Sequence, residues 1–394
     1  MRNASKGRIQ SRLLCACALL IGVALPSVAQ ETELNFYGHV MLDMIYDFDR
    51  LAPDGNDTLR VSQIPVNCPE DAGCGSDGEL IFGVRQTRFG MDATVPTDIG
   101  EINTKLEFEL FGVGNDAGKI TPRLRHAWAT INEFGFGQTN SVFMDGDVFP
   151  NSIDYWGPSG MIFFRNVQAR WTPVSTDTQR IAFALESPSA GIDSGKVPDV
   201  SPNLDVRSKE ELPDLTAHWR IQQDWGHFQA AAILRQVAFE ALDDVSGELF
   251  SGEELGYGVN LSGALNTLGR DRLLWQLAMG EGIGNYLNDG GIDLAPEENL
   301  RATTVPMVSW LLFYDRWWSD DWSSSIGWSQ VRMDNTGGQR DQASETLDYG
   351  LVNVLHYPAD NITMGAELLH GILGLNDGAE GTDTRVQFSL KFKF

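Results

Sequence analysis

Past its first thirty residues the chain has no apolar run of the eighteen or so residues that a membrane-spanning helix needs. The longest candidate, VPMVSWLLFY at 305–314, is about half that length. Helical periodicity is equally scarce. The six histidines, His39, His126, His218, His227, His356 and His370, are scattered singly and show no zinc-ligand spacing. Basic side chains are in deficit, 29 against 54 acidic ones, and a net charge of −25 argues against general nucleic-acid binding. Serines and histidines are present, but none forms a recognisable nucleophile–base arrangement, so the chain is not expected to be an enzyme. The glycine-rich GEGIGNY at 280–286 follows a strand with no helix behind it, which makes it a poor phosphate cradle. No cofactor or metal is expected.

Cysteine is rare: there are four, and two of them, Cys15 and Cys17, fall in the leading segment. That segment carries Arg2, Lys6, Arg8 and Arg12 without an acid, then an apolar run from Leu13 to Leu25 too short to span a bilayer, then the small-x-small site Ser27-Val28-Ala29. It reads as a signal peptide over residues 1–29 with the mature chain starting near Gln30. Loss of those four basic residues takes the net charge from −25 to −29. Export strands Cys68 and Cys74, in NCPEDAGC, in an oxidising compartment, where a small loop disulfide is expected.

What the mature chain has is period-2 alternation. Alternating segments occur at 34–48, 79–95, 101–112, 121–132, 133–141, 161–174, 177–188, 212–223, 226–240, 252–264, 270–281, 302–317, 320–334, 344–358, 361–374 and 381–394. Each puts one oily and one polar face on a strand. In LNFYGHVMLDMIYDF, for example, Leu34, Phe36, Val40, Leu42, Met44, Tyr46 and Phe48 share one face, while Asn35, His39, Asp43 and Asp47 share the other. Short turns (TDIG, QDWGH, WSDDW, PADN) take turns with long connections at 49–78, 141–160, 187–211 and 282–301 and shorter ones at 334–344 and 372–382, and the acids gather in loops. Sixteen strands with that two-sided rhythm predict an all-β fold over 30–394: a 16-stranded antiparallel transmembrane β-barrel in the bacterial outer membrane. The tail-less last strand, TDTRVQFSLKFKF, then has a reason to end on Phe394, because it pairs with the first strand to close the cylinder. Trp225, Trp317, Trp318, Trp322, Tyr357 and Phe394 fall at the periplasmic ends and are expected to form an interfacial girdle.

A cylinder of sixteen strands is hollow by default. The connection SVFMDGDVFPNSIDYWGPSG at 141–160 is too apolar for a solvated loop, so it is expected to fold inward as a constriction, with Asp145, Asp147, Asn151, Asp154 and Tyr155 at the pore. Because an arginine on the lipid face costs about 2–4 kcal/mol, strand arginines should face the lumen. Parity assigns Arg88, Arg170, Arg180, Arg220 and Arg235 to that wall with Asp43. Arg123 and Arg125 join them, although the strand PRLRHAWATI then puts His126 on the apolar face. Each arginine taken singly is as consistent with a wall ion pair as with a solute contact. The acidic outer loops are either simply solvated or bridge divalent cations to lipid headgroups.

These segments resemble a known family, the DcaP-like porins. The resemblance is carried by FYGHVMLDMIYDF, RQTRFGMDA, RHAW, GFGQTNSVFMDGDVFPNSIDYWGPSG, VQARW, GEGIGNY, NVLHYPADNITMGAELLHG and the terminal Phe394. It implies a homotrimer and a preference for small negatively charged solutes such as dicarboxylates. The residues and the resemblance together predict an outer-membrane porin for passive diffusion of small hydrophilic solutes, anionic organic acids favoured. The partners expected are outer-membrane lipid, such solutes and further copies of the chain, with no nucleic acid. A plugged barrel serving as an adhesin or structural protein, and more remotely a barrel enzyme, are the rival readings.

Overall fold

The computed structural model describes residues 32–51, 57–67 and 77–394. The leader expected at residues 1–29 and both Cys68 and Cys74, with the disulfide expected between them, lie outside the described residues. The strands are β1 (Glu33–Asp47), β2 (Glu79–Gly83), β3 (Arg88–Thr97), β4 (Gly100–Phe111), β5 (Ile120–Ile131), β6 (Phe134–Asn140), β7 (Arg165–Ser175), β8 (Gln179–Glu186) and β9 (Leu204–Lys209). They continue as β10 (Asp214–Gln223), β11 (Gly226–Asp243), β12 (Leu249–Asn266), β13 (Arg272–Glu281), β14 (Pro306–Trp317), β15 (Trp322–Met333), β16 (Ser344–Ala359), β17 (Ile362–Leu375) and β18 (Glu380–Lys393).

These build sixteen staves, because two staves are broken. β2 and β3 both pair with β1, one above the other. They are separated at Val84–Thr87, where the Thr87 amide donates to the Val84 carbonyl, and Arg85 and Gln86 are buried there. The second break lies between β9 and β10, just before Pro213, a residue with no amide to give the ladder. All pairings between named strands are antiparallel, and β1 pairs with β18 in the register Val40↔Phe392 to Tyr46↔Val386, which closes the cylinder. The terminal Phe394 extends the seam by exchanging two 3.1 Å backbone hydrogen bonds with Gly38. A Cβ on Gly38 would lie 2.7 Å from the Phe394 ring, so the close seam requires glycine there.

The alternation read from the sequence is realised face by face. On β1, Leu34, Phe36, Val40, Leu42, Met44 and Tyr46 are exposed while Met41, Asp43, Ile45 and Asp47 are buried. The outward set is wholly apolar while the inward one mixes aspartates with Met41 and Ile45, and an exposed face that is all apolar suits a wall against hydrocarbon. Two of the expected girdle aromatics are corrected: Trp317 and Tyr357 stack on each other at 5.2 Å on the inner face. Tyr357 there accepts from Asn151, so a side-chain partner in the lumen overrides the end-of-strand position. Trp225, Trp318, Trp322 and Phe394 remain exposed.

The sixth stave begins later than its alternation suggests, at Arg165, so the inward-reading connection runs from 141 to 164. Its residues 161–164 pack as a loop, with Ile162 bridged to Leu287. A second connection, residues 57–66, buries Leu59, Val61, Ile64 and Val66. Leu59, Val61 and Ile64 come against Gly371, and Ile64 and Val66 against Gly381.

Candidate functional site: a basic cavity beside the constriction segment

The segment 141–164 makes its hydrogen bonds with the polar face of stave after stave. At its start the Val142 carbonyl meets His218 Nδ1 (3.0 Å), and the Phe143 and Met144 carbonyls accept from Asn260 (2.9 Å) and Gln229 (3.1 Å). Midway, Glu367 on β17 accepts from the Ser152 hydroxyl (2.8 Å) and the Ile153 and Asp154 amides (3.2 and 3.0 Å). The Ile153 carbonyl accepts from Gln86 (2.9 Å) and Gln387 (2.8 Å), and near the end the Gly160 carbonyl accepts from Gln276 (2.9 Å).

This anchoring uses the acids expected at the pore. Asp145 is buried, accepting from Ser262 (2.8 Å) and Arg220 (3.1 Å) and lying 2.8 Å from His227 Nε2. Asp154 is buried under the hydroxyls of Thr58 (2.7 Å) and Tyr349 (3.1 Å) and the amides of Leu59 and Gly157. Asp145 is closed off from open water, whereas Asp154, 4% exposed, sits in the lining of the cavity beside this segment: a short acidic side chain beside donors on the wall gains as a buried acceptor. Asp147 stays exposed and pairs with Arg220 at 2.5 Å, while Asn151 donates to Ser323 (2.9 Å) and Tyr357 (2.8 Å). Asp43, on β1, accepts from Gln86, Gln387 and Ser389.

The wall arginines separate into two sets. Arg235 is fully buried against Asp214 (3.2 Å) and Asp293 (3.4 Å), and Arg220 is neutralised by the two loop aspartates. Burial pushes the Asp293 carboxyl above its ordinary value, although Arg235 pulls it down. Arg170 packs over Trp128 and donates to Gln168 and the Asn140 carbonyl, and Arg180 is exposed at the lower end of β8. None of these four lines the cavity beside the segment 141–164. Arg88, Arg123 and Arg125 do, beside two glutamates on β4: Arg125 donates to Glu107 (2.7 Å) and Glu109 (2.6 Å), and Arg88 lies 3.4–3.5 Å from both. Tyr155 joins them by donating to Glu109 and accepting from Arg123 (3.2 Å), its ring stacked 3.6 Å from Phe111.

The conflict over His126 is resolved by a β-bulge. Glu107 pairs with His126 but the next residue, Phe108, pairs with Leu124, so Arg125 is left over and both Arg125 and His126 are buried. The His126 ring then meets the Thr139 hydroxyl at 2.9 Å.

The cavity these groups line is about 530 Å³, with Phe149, Tyr155, Trp156, Phe163 and Phe164 on the side of the constriction segment. Two of its cations were not foreseen from the sequence, Arg165 and Lys391. Among the described residues Arg165 has no ion-pair partner, its Nη1 lacks a hydrogen bond, and its guanidinium lies 5.2 Å over the Phe163 ring. Lys391, on β18, likewise has no ion pair among the described residues. Five cations thus line the cavity against one lining acid, Asp154, and the two glutamates behind them, which cannot neutralise all five.

The Glu367 anchor makes a direct prediction. Glu367→Ala leaves three donors of residues 152–154 without their acceptor, at about 1–3 kcal/mol for each one that stays buried. The expected result is a constriction segment that lets go: larger and noisier single-channel currents in planar bilayers, with the strand content of the barrel retained by circular dichroism.

A closed antiparallel barrel with an apolar outer face and a polar inner one is a membrane barrel, and comparison with known proteins narrows the class to the porins. The DcaP channel of Acinetobacter baumannii superposes with a TM-score of 0.76 at 20% identity, over 94% of this chain and 100% of that one. The anion-selective porin of Comamonas acidovorans gives 0.54 at 9% identity over 92% and 100%. The trimer form of the Vibrio cholerae outer membrane protein OmpT gives 0.54 at 13% identity over 92% and 99%. No curated protein sequence matches. The profile of the DcaP outer membrane protein family matches residues 22–225, more than half of the sequence, and the chain belongs to that family. It is a porin-type barrel of the bacterial outer membrane.

Proposed function

We propose that the protein is a passive diffusion channel for small hydrophilic solutes that favours anions, organic acids among them, works as a homotrimer and reaches the membrane through a cleaved leader. The observation that carries the anion preference is the pair Arg165 and Lys391, two cavity-lining cations without an ion-pair partner among the described residues. Burying a charge is costly unless something compensates it, and a passing carboxylate supplies the compensation that the wall withholds. The segment 141–164 narrows the lumen, leaving the solute to pass between its aromatic residues and the arginines of β3 and β5.

The deciding experiment is the reversal potential of the purified protein in planar bilayers under a potassium chloride gradient. A potential of the sign set by chloride supports the reading, and cation selectivity overturns the anion preference. Liposome swelling with sugars and organic acids tests the pore itself, since a plugged barrel admits neither. Mass spectrometry of the protein from outer membranes is expected to give Gln30 as the first residue, and an intact Met1 would overturn the leader.

A further inference from the structure

Among the described residues one part of the barrel wall is incomplete. β5 pairs with β6 only from Ala127 to Ile131, whereas its upper half, Ile120 to Leu124, is laddered to β4 alone. On the β6 side of that upper half no strand lies alongside. The Gln138 side chain partly substitutes, donating to the Leu124 carbonyl at 3.1 Å and the Arg125 carbonyl at 3.4 Å. Two of the three staves that follow the gap are also short: β6 has 7 residues and β8 has 8, with 11 in β7 between them, against 18 in β11 and β12. With a rise of about 2.5 Å of height per tilted residue, they climb roughly 18–20 Å, less than the ~25 Å apolar band of an outer-membrane barrel. The upper part of that band therefore meets a free sheet edge. Acyl chains cannot bond to its amides and carbonyls, and open edges of this kind are not left facing lipid.

Below the gap, on the same staves, lies an apolar groove of about 690 Å³ on the outer face. Its floor is small, with Ala217 paired to Ala232 across β10 and β11. Its flank is bulky, with Phe136, Trp171 and Phe183 standing beside that floor and the last two stacked at 5.8 Å. One surface that carries both a ridge and a matching furrow can pack head-to-tail on copies of itself and close into a ring. We propose that the outer face of β5–β8 and β10 is the contact surface between copies of this chain. The neighbouring copy covers the free edge of β5, and its aromatic ridge enters the furrow over Ala217 and Ala232. This deepens the oligomeric reading given above and rests on it.

The test places the photocrosslinking residue p-benzoylphenylalanine at Phe183, or at Ile326 on β15 as an outward-facing control, in an otherwise unchanged chain. Irradiation of intact outer membranes should yield a covalent multimer from Phe183 and none from Ile326. A multimer from Ile326 with none from Phe183 overturns the location, while the native mass still reports an oligomer. A monomeric native mass of the unaltered protein overturns the oligomeric reading itself. Filling the furrow with Ala217→Trp should lower the multimer fraction at least tenfold with the barrel's strand content unchanged, and retention of the full fraction counts against the furrow.

Discussion

The double replacement R165Q/K391Q is expected to lower the anion-to-cation permeability ratio about tenfold, with little change in single-channel conductance at high salt. The size follows from Coulomb's law: a unit charge about 12 Å from a passing ion, at the dielectric constant of about 80 of a water-filled pore, contributes ~0.35 kcal/mol, two such charges ~0.7, and because the sign is opposite for anion and cation their ratio changes by about a factor of ten. Arg88, Arg123 and Arg125 share the cavity, but they lie against Glu107 and Glu109, so their fields are partly cancelled before they reach the solute. The same replacement applied to Arg220 or Arg235 should change selectivity less, because neither lines the cavity. Reversal potentials at two ionic strengths check the result: the difference between wild type and the double variant should shrink at 1 M salt, where the screening length is about 3 Å. If R220Q shifts the potential more than R165Q/K391Q does, the basic cavity is not where ions are selected.

That contrast also shows how far residue patterns reach. Strand number, face assignment and the closing role of the last strand were legible because lipid on one side and water on the other impose a strict period of two, which every stave repeats. The packing of the connection at 141–164 was legible for a related reason, since apolar residues such as Phe143, Val148 and Ile153 do not suit a solvated loop, and all three are buried. Parity fails where the backbone leaves the regular ladder. The bulge at Arg125 turns two successive side chains to one face, which no alternation count anticipates. Arg165 is a second case: by parity with Asn166, Gln168 and Arg170 it belongs to the outer face, but it is the first residue of β7, where the ladder starts, and its side chain lines the cavity. Lys391 sits on the polar face of the last strand, and only the three-dimensional position of β18 beside β1 brings it to Arg88 and the cavity. The loop aspartates show the converse limit. Asp145 and Asp154 are polar in sequence, but their hydrogen-bond partners come from β10, β11, β12 and β16 and from the segment 57–66, so their burial depends on contacts distant in the chain.

The closing seam carries the largest expected effect on stability. Arg385 on β18 is buried and pairs with Asp47 on β1 and with Asp383 (2.8 Å), while the neighbouring Thr384 amide donates to Asp49 at 2.7 Å. The cluster therefore ties the first strand to the last at the outer end of the seam, whereas Gly38 and Phe394 tie the periplasmic end. Removing the cation alone, as in Arg385→Leu, leaves two buried carboxylates facing each other without compensation, at a cost of about 3–5 kcal/mol. Urea titration of the folded barrel in lipid vesicles, followed by tryptophan fluorescence, should show the midpoint falling by the corresponding amount. Replacing all three charges at once (R385L/D47N/D383N) should recover most of the loss, because the penalty comes from the charges left behind and the strand ladder itself is untouched. If the triple variant is as unstable as the single one, the seam depends on the geometry of the Arg385 side chain, and its charge is incidental.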